Sequence, residues 1–310
     1  MSEIKSHLTA RRAEEFCPMG TKDISTLVAD IEGLFNDGHQ LHEALAGQLG
    51  LNIGNLVGER LAAYANERKG TLRLSNIGRP DRQVWYEVND PNGGEPLPAN
   101  TKTKFLFGDV WEQLLLLLAK AAGHEVTHEQ VEVDVGGVKG HPDAIIDGVV
   151  VDIKSCSSYA FKKFKEGTLR DSDAFGYIGQ LAGYVYALKP GAEGAFLAVD
   201  KVSGSLCLLR VSADELAGYD VQRGVEHKKV VVDGPIPERC FEAVPEGKSG
   251  NMKLGVNCSY CGWKHKCWSD ANDGNGIRTF LYSTGPAFLT KVERQPNVFE
   301  VGKAEVEFEF

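Results

Sequence analysis

The sequence predicts an α/β fold on three observations. Apolar residues recur at helical spacing over residues 105 to about 122, in a segment rich in Leu and Ala that ends at Gly123. Two pairs of short apolar runs read as hairpins, one over 142–154 around Asp147-Gly148 and one over 195–211 around Val202-Ser203-Gly204. Between them lies a second helical stretch, 177–188, stopped by Pro190.

Taken in order, residues 1–22 have no periodicity and contain Cys17-Pro18, so a poorly ordered start is expected. Leu27, Ile31, Leu34 and Phe35 then repeat at helical spacing, with Ser25 as the expected N-cap. Leu41, Leu45, Leu49, Leu56 and Leu61 suggest one or two further helices, broken near Gly50 and Gly54. This helical N-terminus carries no evident chemistry and is expected to pack on a core elsewhere. Residues 72–86 read as an extended piece, a Ser/Asn turn and a helix bearing Arg82, Trp85 and Tyr86, with packing the expected role of Trp85. Residues 89–103 read as a turn-rich loop.

Within 105–122, Glu112 interrupts an apolar run of Phe107, Val110, Trp111, Leu114 and Leu115, and Asp109 lies on the same face three residues earlier. Residues 125–135 alternate Val131, Val133 and Val135 with polar residues, as one strand leading into the first hairpin. Beyond that hairpin, 155–159 reads as a polar loop before the basic Phe161-Lys162-Lys163-Phe164-Lys165. On the 177–188 helix, Gln180 and Tyr184 share a face and Gly183 permits close packing. A further helix is expected around 214–227, then a hairpin near Gly285-Pro286, and 305–310 as an edge strand or free tail.

Composition narrows the function classes. No apolar run approaches the roughly 18 residues of a membrane span, and the first residues lack a signal-peptide core, so a cytoplasmic protein is expected. A net charge of −9 argues against a protein that coats nucleic acid electrostatically. It leaves room for an enzyme whose carboxylates bind metal, with Lys162, Lys163 and Lys165 as local basic surface. Seven cysteines without a leader point to a metal site rather than a disulfide framework.

The first hairpin places Asp143, after Pro142, and the pair Asp152 and Lys154 at one end of a sheet. Charges that follow an apolar run such as Val149-Val150-Val151 are costly to bury unless paired or bound to metal. One reading is a metal-dependent phosphodiesterase site, for which Glu112 supplies a third carboxylate; the other is a surface hairpin ending in an ion pair. Near the C-terminus, Cys258, Cys261 and Cys267 form a C-x2-C-x5-C knuckle that suggests a tetrahedral metal or a cubane cluster. Trp263 and Trp268 could shield it. Cys240 is the nearest candidate for the fourth ligand, then His265, then Cys17; three unligated cysteines are the alternative.

In that order, Glu112, Pro142-Asp143, Asp152-x-Lys154 and Gln180-x-x-x-Tyr184 resemble the PD-(D/E)xK nuclease superfamily. The Gln-x-x-x-Tyr helix and the cysteine knuckle resemble its RecB-type members, including CRISPR-associated and bacteriophage exonucleases, over roughly residues 72–292. The resemblance implies a central mixed sheet flanked by helices, divided as a helical N-terminal extension (1–70), a nuclease core (71–235) and a Cys-rich segment packing back on it (236–310). It implies a Mg²⁺- or Mn²⁺-dependent DNA exonuclease acting on linear DNA with a free end, with a single-strand annealing or recombination protein as the partner such enzymes suggest. The implied metal ligands are Asp143 and Asp152, with Glu112 direct or through water and the Ile153 carbonyl in addition. Lys154 would position or help deprotonate water and offset phosphate charge, while Gln180 and Tyr184 hold the lysine or the DNA backbone. Cys240, Cys258, Cys261 and Cys267 would hold a [4Fe–4S] cluster, or zinc. Two departures stand out: the first catalytic helix offers Asp109 and Glu112 where relatives often carry His, and the segment around Gly78-Arg79-Pro80-Asp81 lacks the usual first cysteine. Either Cys240 completes the cluster, or Asp81 or another residue substitutes, or the metal is zinc. A structure-specific or restriction-type endonuclease and a non-catalytic DNA-binding module are the competing functions.

Overall fold

The structure, a computed structural model, describes residues 22–302. Cys17 and the 305–310 tail lie outside the described residues, as does the expected loose start apart from Lys22. The core is a five-stranded mixed sheet, β1-β4-β5-β6-β7. Its strands are β1 (Val126–Thr127), β4 (Ala144–Ile146), β5 (Val149–Cys156), β6 (Gly194–Asp200) and β7 (Leu206–Val211). All pairings are antiparallel except β5 with β6, whose crossover carries two helices. The first hairpin turns through Asp147 (φ +47) and Gly148 (φ +83), both in the left-handed region that a two-residue turn of this kind requires.

Period-two alternation divides the core between two faces. Ala144, Ile146, Val151, Ile153, Ala195, Leu197 and Val199 pack against α1 (Leu27–Asn36) and α4 (Ala99–Ala121). Leu27 and Ile31 are fully buried there, each stabilising the interface by about 1.5–3 kcal/mol. On the opposite face, Ile145, Val150, Phe196 and Ala198 meet a layer that includes α5 (Ser158–Lys165) and α6 (Tyr177–Leu188). Buried His124 ties the far end of the hairpin to α1: Nδ1 lies 2.6 Å from Asp147 and Nε2 3.1 Å from Asp30, which also accepts from Lys22 Nζ.

Several expected boundaries move. The 41–61 pattern forms one unbroken helix, α2 (Glu43–Ala65), because an interior glycine costs only about 1 kcal/mol against Ala. Helix α4 starts six residues before the expected Phe105, taking the end of the 89–103 loop, and Phe107 on it is 58% exposed rather than core. The cap before α1 is Asp23, whose side chain accepts from Ser25 N, and a 3-10 turn, Ile24–Thr26, precedes the helix. The single strand expected over 125–135 is two: β1 in the core sheet, and β2 (Val133–Val135) pairing with β3 (Val138–Gly140) as a separate ribbon. His128 (φ +54) and Gln130 (φ +50) turn the chain between them. Strand β5 runs on to Cys156 and Ser157 caps α5 by accepting from Ala160 N, so the expected polar loop shrinks to a cap. The helix expected over 214–227 divides into α7 (Ala213–Ala217), with a Ser212/Glu215 capping box, and α8 (Val221–Asp233).

The segment after α8 builds a second, antiparallel sheet in the order β10-β11-β9-β8. It comprises β8 (Val244–Pro245), β9 (Met252–Lys253), β10 (Arg278–Tyr282) and β11 (Gly285–Lys291). The stretch between β9 and β10 meets helix α3 (Asp81–Asn89): Trp263 stacks on Tyr86 at 6.0 Å and donates to the Asp90 carbonyl. Trp85, as expected, anchors α3, donating to the Gly234 carbonyl at 2.9 Å.

Candidate active site

Strand β5 places Asp152 and Lys154 two residues apart, on the sheet face that packs against α6. Strand β4 begins at Ala144, opposite Val151, so among the described residues β5 beyond Val151 has no partner strand on that side. Asp143 takes that position: its Oδ2 accepts from Ile153 N at 2.6 Å. From the other side, α4 brings Glu112 close enough that Gln130 Nε2 donates to both Glu112 Oε1 (2.7 Å) and Asp143 Oδ1 (3.0 Å). Asp152, 1% exposed, pairs through Oδ2 with Lys154 Nζ at 2.5 Å. Lys154 Nζ also stands 3.4 Å from Gln180 Oε1 and 4.7 Å from the Tyr177 ring, and Gln180 Nε2 donates to Tyr184 Oη at 3.1 Å.

Glu112, Asp143, Asp152, Lys154, Gln180 and Tyr184 therefore form one connected constellation. Asp109 does not join it. The Arg60 guanidinium on α2 takes both Asp109 oxygens, at 2.5 and 2.8 Å. Sequence reasoning missed Gln130, Tyr177 and Arg60. Gln130 lies in the polar stretch His128-Glu129-Gln130, where no periodicity marks one side chain above its neighbours. Tyr177 could have been found from its place one turn before Gln180, on the α6 face that meets Lys154.

Burial drives the electrostatics. It pushes the Glu112 carboxyl up to about 7, with the charges of Asp109 and Asp152 adding to the rise and Gln130 opposing it. Asp143 is held well above the ordinary carboxylate range by burial and then by Asp152 and Glu112. Asp152 is raised by burial and restrained by Lys154. For Lys154 burial works downward, but Asp152 and Asp143 outweigh it and hold the ammonium above its ordinary value. Burial lifts the Tyr184 phenol to about 12, so it stays a neutral donor and acceptor.

These shifts fix a sign. A carboxyl raised in the folded state binds protons more tightly there than in the unfolded chain, so stability rises as pH falls through the folded value. For Glu112 the window runs from about 7 down to its ordinary 4.5. The metal-free protein is expected to gain thermal stability as pH is lowered from about 8 to about 6, and a bound divalent cation should flatten that slope by favouring the ionised carboxylates. Thermal scans with EDTA and with Mg²⁺ check this; a midpoint that falls with pH in EDTA would contradict it.

The donor set suits a hard cation. Three carboxylates are gathered with a single ammonium in contact with Asp152, an excess of buried negative charge that a cation would offset, and Mg²⁺ keeps several waters while taking one or two carboxylates. Among the described residues, no group of three or more His, Cys, Asp or Glu side chains is arranged to hold a metal ion, neither the three carboxylates nor the four cysteines.

At the C-terminal segment, Cys240, Cys258, Cys261 and Cys267 line one cavity with Arg82 and Trp268. Cys258 lies within the helical segment Val256–Ser259, Cys261 on the turn that follows it, donating through its N to the Cys258 carbonyl, and Cys267 ends the segment Lys264–Cys267. The four thiols are free, and burial, then Cys261 and Cys267, raises Cys258 to about 11. The other ligand candidates are engaged elsewhere: His265 Nε2 lies 2.8 Å from Glu95, and Asp81 binds His227 and Lys228. Trp268 lines the cavity, whereas Trp263 packs on Tyr86.

The sequence matches no protein-family model and no curated protein. Among solved structures, the chain is similar to a protein designated SSO0001 at 17% identity and TM-score 0.39, covering 68% of this chain and 93% of that one. It is similar to the alkaline exonuclease LHK-Exo from Laribacter hongkongensis at 16% identity and TM-score 0.38, covering 57% and 92%. A phage-related exonuclease from Haemophilus somnus 129PT is similar at 14% identity and TM-score 0.39, covering 54% and 95%. At such TM-scores the functional reading rests on the chain's own geometry. No described helix is long and apolar enough to cross a membrane.

Proposed function

We propose that the chain is a metal-dependent DNA exonuclease of the PD-(D/E)xK type, akin to RecB-like and bacteriophage enzymes. One observation carries the reading: Glu112, Asp143 and Asp152 gather around Lys154 in the second half of β5, an excess of buried negative charge that is costly unless it binds a cation. A bound Mg²⁺ or Mn²⁺ would activate water and neutralise charge on the phosphoryl group. Glu112, Asp143 and Asp152 would hold it, with the Ile153 carbonyl as a further ligand.

The chain's own groups do the rest. Lys154, kept protonated by its carboxylate neighbours, offsets phosphate charge and orients water; its raised pKa makes it a poor base. Gln180 holds the lysine in place from α6, and Tyr184 fixes the Gln180 amide. Exposed Tyr159 and the lysines Lys162, Lys163 and Lys165 on α5 follow directly after β5 and suit a nucleic-acid backbone. Linear DNA with a free end is the proposed substrate, in the cytoplasm, beside an annealing or recombination protein. Cys240, Cys258, Cys261 and Cys267 are proposed to hold a [4Fe–4S] cluster, with zinc as the alternative; their shared cavity supports the set.

Incubation with linear and with closed circular DNA, in Mg²⁺, Mn²⁺ or EDTA, tests the function. Expected is metal-dependent loss of linear DNA with circular DNA spared. Nicking of circles would move the reading to an endonuclease, and binding without cleavage to a non-catalytic module. Iron, zinc and sulfide analysis of anaerobically purified protein tests the cysteine set, and protein free of all three would remove it.

A further inference from the structure

Gln130 has no role in the reading above, yet its surroundings are unusual. It follows β1 with φ +50, two residues after His128 with φ +54. Histidine visits this region more readily than most residues, but glutamine seldom does, and a loop that keeps Gln130 there is held by contacts that outweigh the strain. The contacts are visible. Gln130 N donates to the Asp143 carbonyl at 3.2 Å, which fixes the loop against Asp143. Its Nε2 then sends its two hydrogens to carboxylates of two different elements, Glu112 Oε1 on α4 and Asp143 Oδ1 before β4. The other Asp143 oxygen is already taken by Ile153 N. Both oxygens of Asp143 are thus fixed, one by β5 and one by Gln130, and the same amide holds Glu112.

We propose that Gln130 is a positioning residue, whose amide holds Glu112 and Asp143 at the separation that receives a divalent cation before the cation arrives. The inference rests on the nuclease reading. Two like charges brought together would drift apart, and a neutral group with two hydrogens joins them without adding charge. Gln130 acts through the two carboxylates and touches neither DNA nor the reacting atoms.

Two variants separate this role from a merely structural one. Gln130→Met keeps the volume and removes the donor. Gln130→Gly removes the side chain and relieves the left-handed backbone, so it is expected to keep or raise the thermal midpoint. Mn²⁺ affinity of metal-stripped protein, measured by calorimetry or by the signal of free Mn²⁺ in electron paramagnetic resonance, is expected to weaken about tenfold or more in both. Cleavage should need correspondingly more metal, with the rate at saturating Mn²⁺ close to wild type. Wild-type or tighter Mn²⁺ affinity in Gln130→Gly would overturn the proposal. If the wild-type protein cleaves and binds Mn²⁺ but the variants match it, only the positioning role falls; if the wild type does neither, the nuclease reading falls with it.

Discussion

Replacing Lys154 by Met, or Asp152 by Asn, is expected to lower DNA cleavage by about 10²–10⁴-fold, the usual contribution of a positioned group in proton and charge management. The two substitutions should fail for different reasons. Lys154→Met removes the one cation that contacts Asp152 among the described residues, and Asp152 is 1% exposed. Breaking a buried pair from one side costs about 3–5 kcal/mol, although protonation of Asp152, already raised by burial, lessens that cost. Asp152→Asn keeps shape and an oxygen but removes the charge that binds metal. Lys154 would still face Asp143, so Asp152→Asn should be the better folded of the two. Urea unfolding beside the cleavage assay separates loss of site from loss of fold. A near-wild-type rate in either folded variant would sink the assignment of roles.

Gly78→Ala is expected to destabilise the protein by about 2–3 kcal/mol and to impair the site from a distance. Gly78 lies in the loop before α3, against the backbone of Gly176, the N-cap of α6; a Cβ on either glycine would overlap the other's main chain. Gly179, one turn on, meets the same loop, and Tyr219 Oη fastens it by donating to the Ile77 carbonyl at 2.8 Å. Backbone meeting backbone has no rotamer to yield, so the start of α6 must move. Gln180 lies one turn into α6 and holds Lys154, so the displacement reaches the chemistry. Gly50→Ala on α2 is the control: nothing lies within reach of its Cβ, and the change should stabilise by up to about 1 kcal/mol. Urea midpoints that move together for the two variants would contradict this account of the glycine contact.

How much of this was legible in the sequence depends on the range of the forces involved. The β4–β5 hairpin and the 177–188 helix follow from local pattern, and both appear where the residues put them. Glu112 announced itself as a charge in an apolar run, and it reaches the site. The front of α4 did not, because its apolar side chains lean on α2 and solvent rather than on a core, and α2 ignored glycines whose missing Cβ atoms face open space. The break between β1 and β2 depends on two left-handed residues of ordinary type, for which composition gives no cue. Gln130 was invisible for the same reason: its importance comes from Glu112 and Asp143, 18 and 13 residues away. The Gly78–Gly176 contact, like the cavity shared by Cys240 and the knuckle, joins segments that only the fold brings together.

The most direct test of the central claim is digestion of linear DNA labelled at each end in turn, by wild-type protein and by Asp152→Asn, with Mg²⁺ or Mn²⁺ and with EDTA. The account expects stepwise loss of nucleotides from a terminus by the wild type in divalent metal, and none in EDTA or with the variant. Equal degradation by wild type and Asp152→Asn, or undiminished degradation in EDTA, would contradict it.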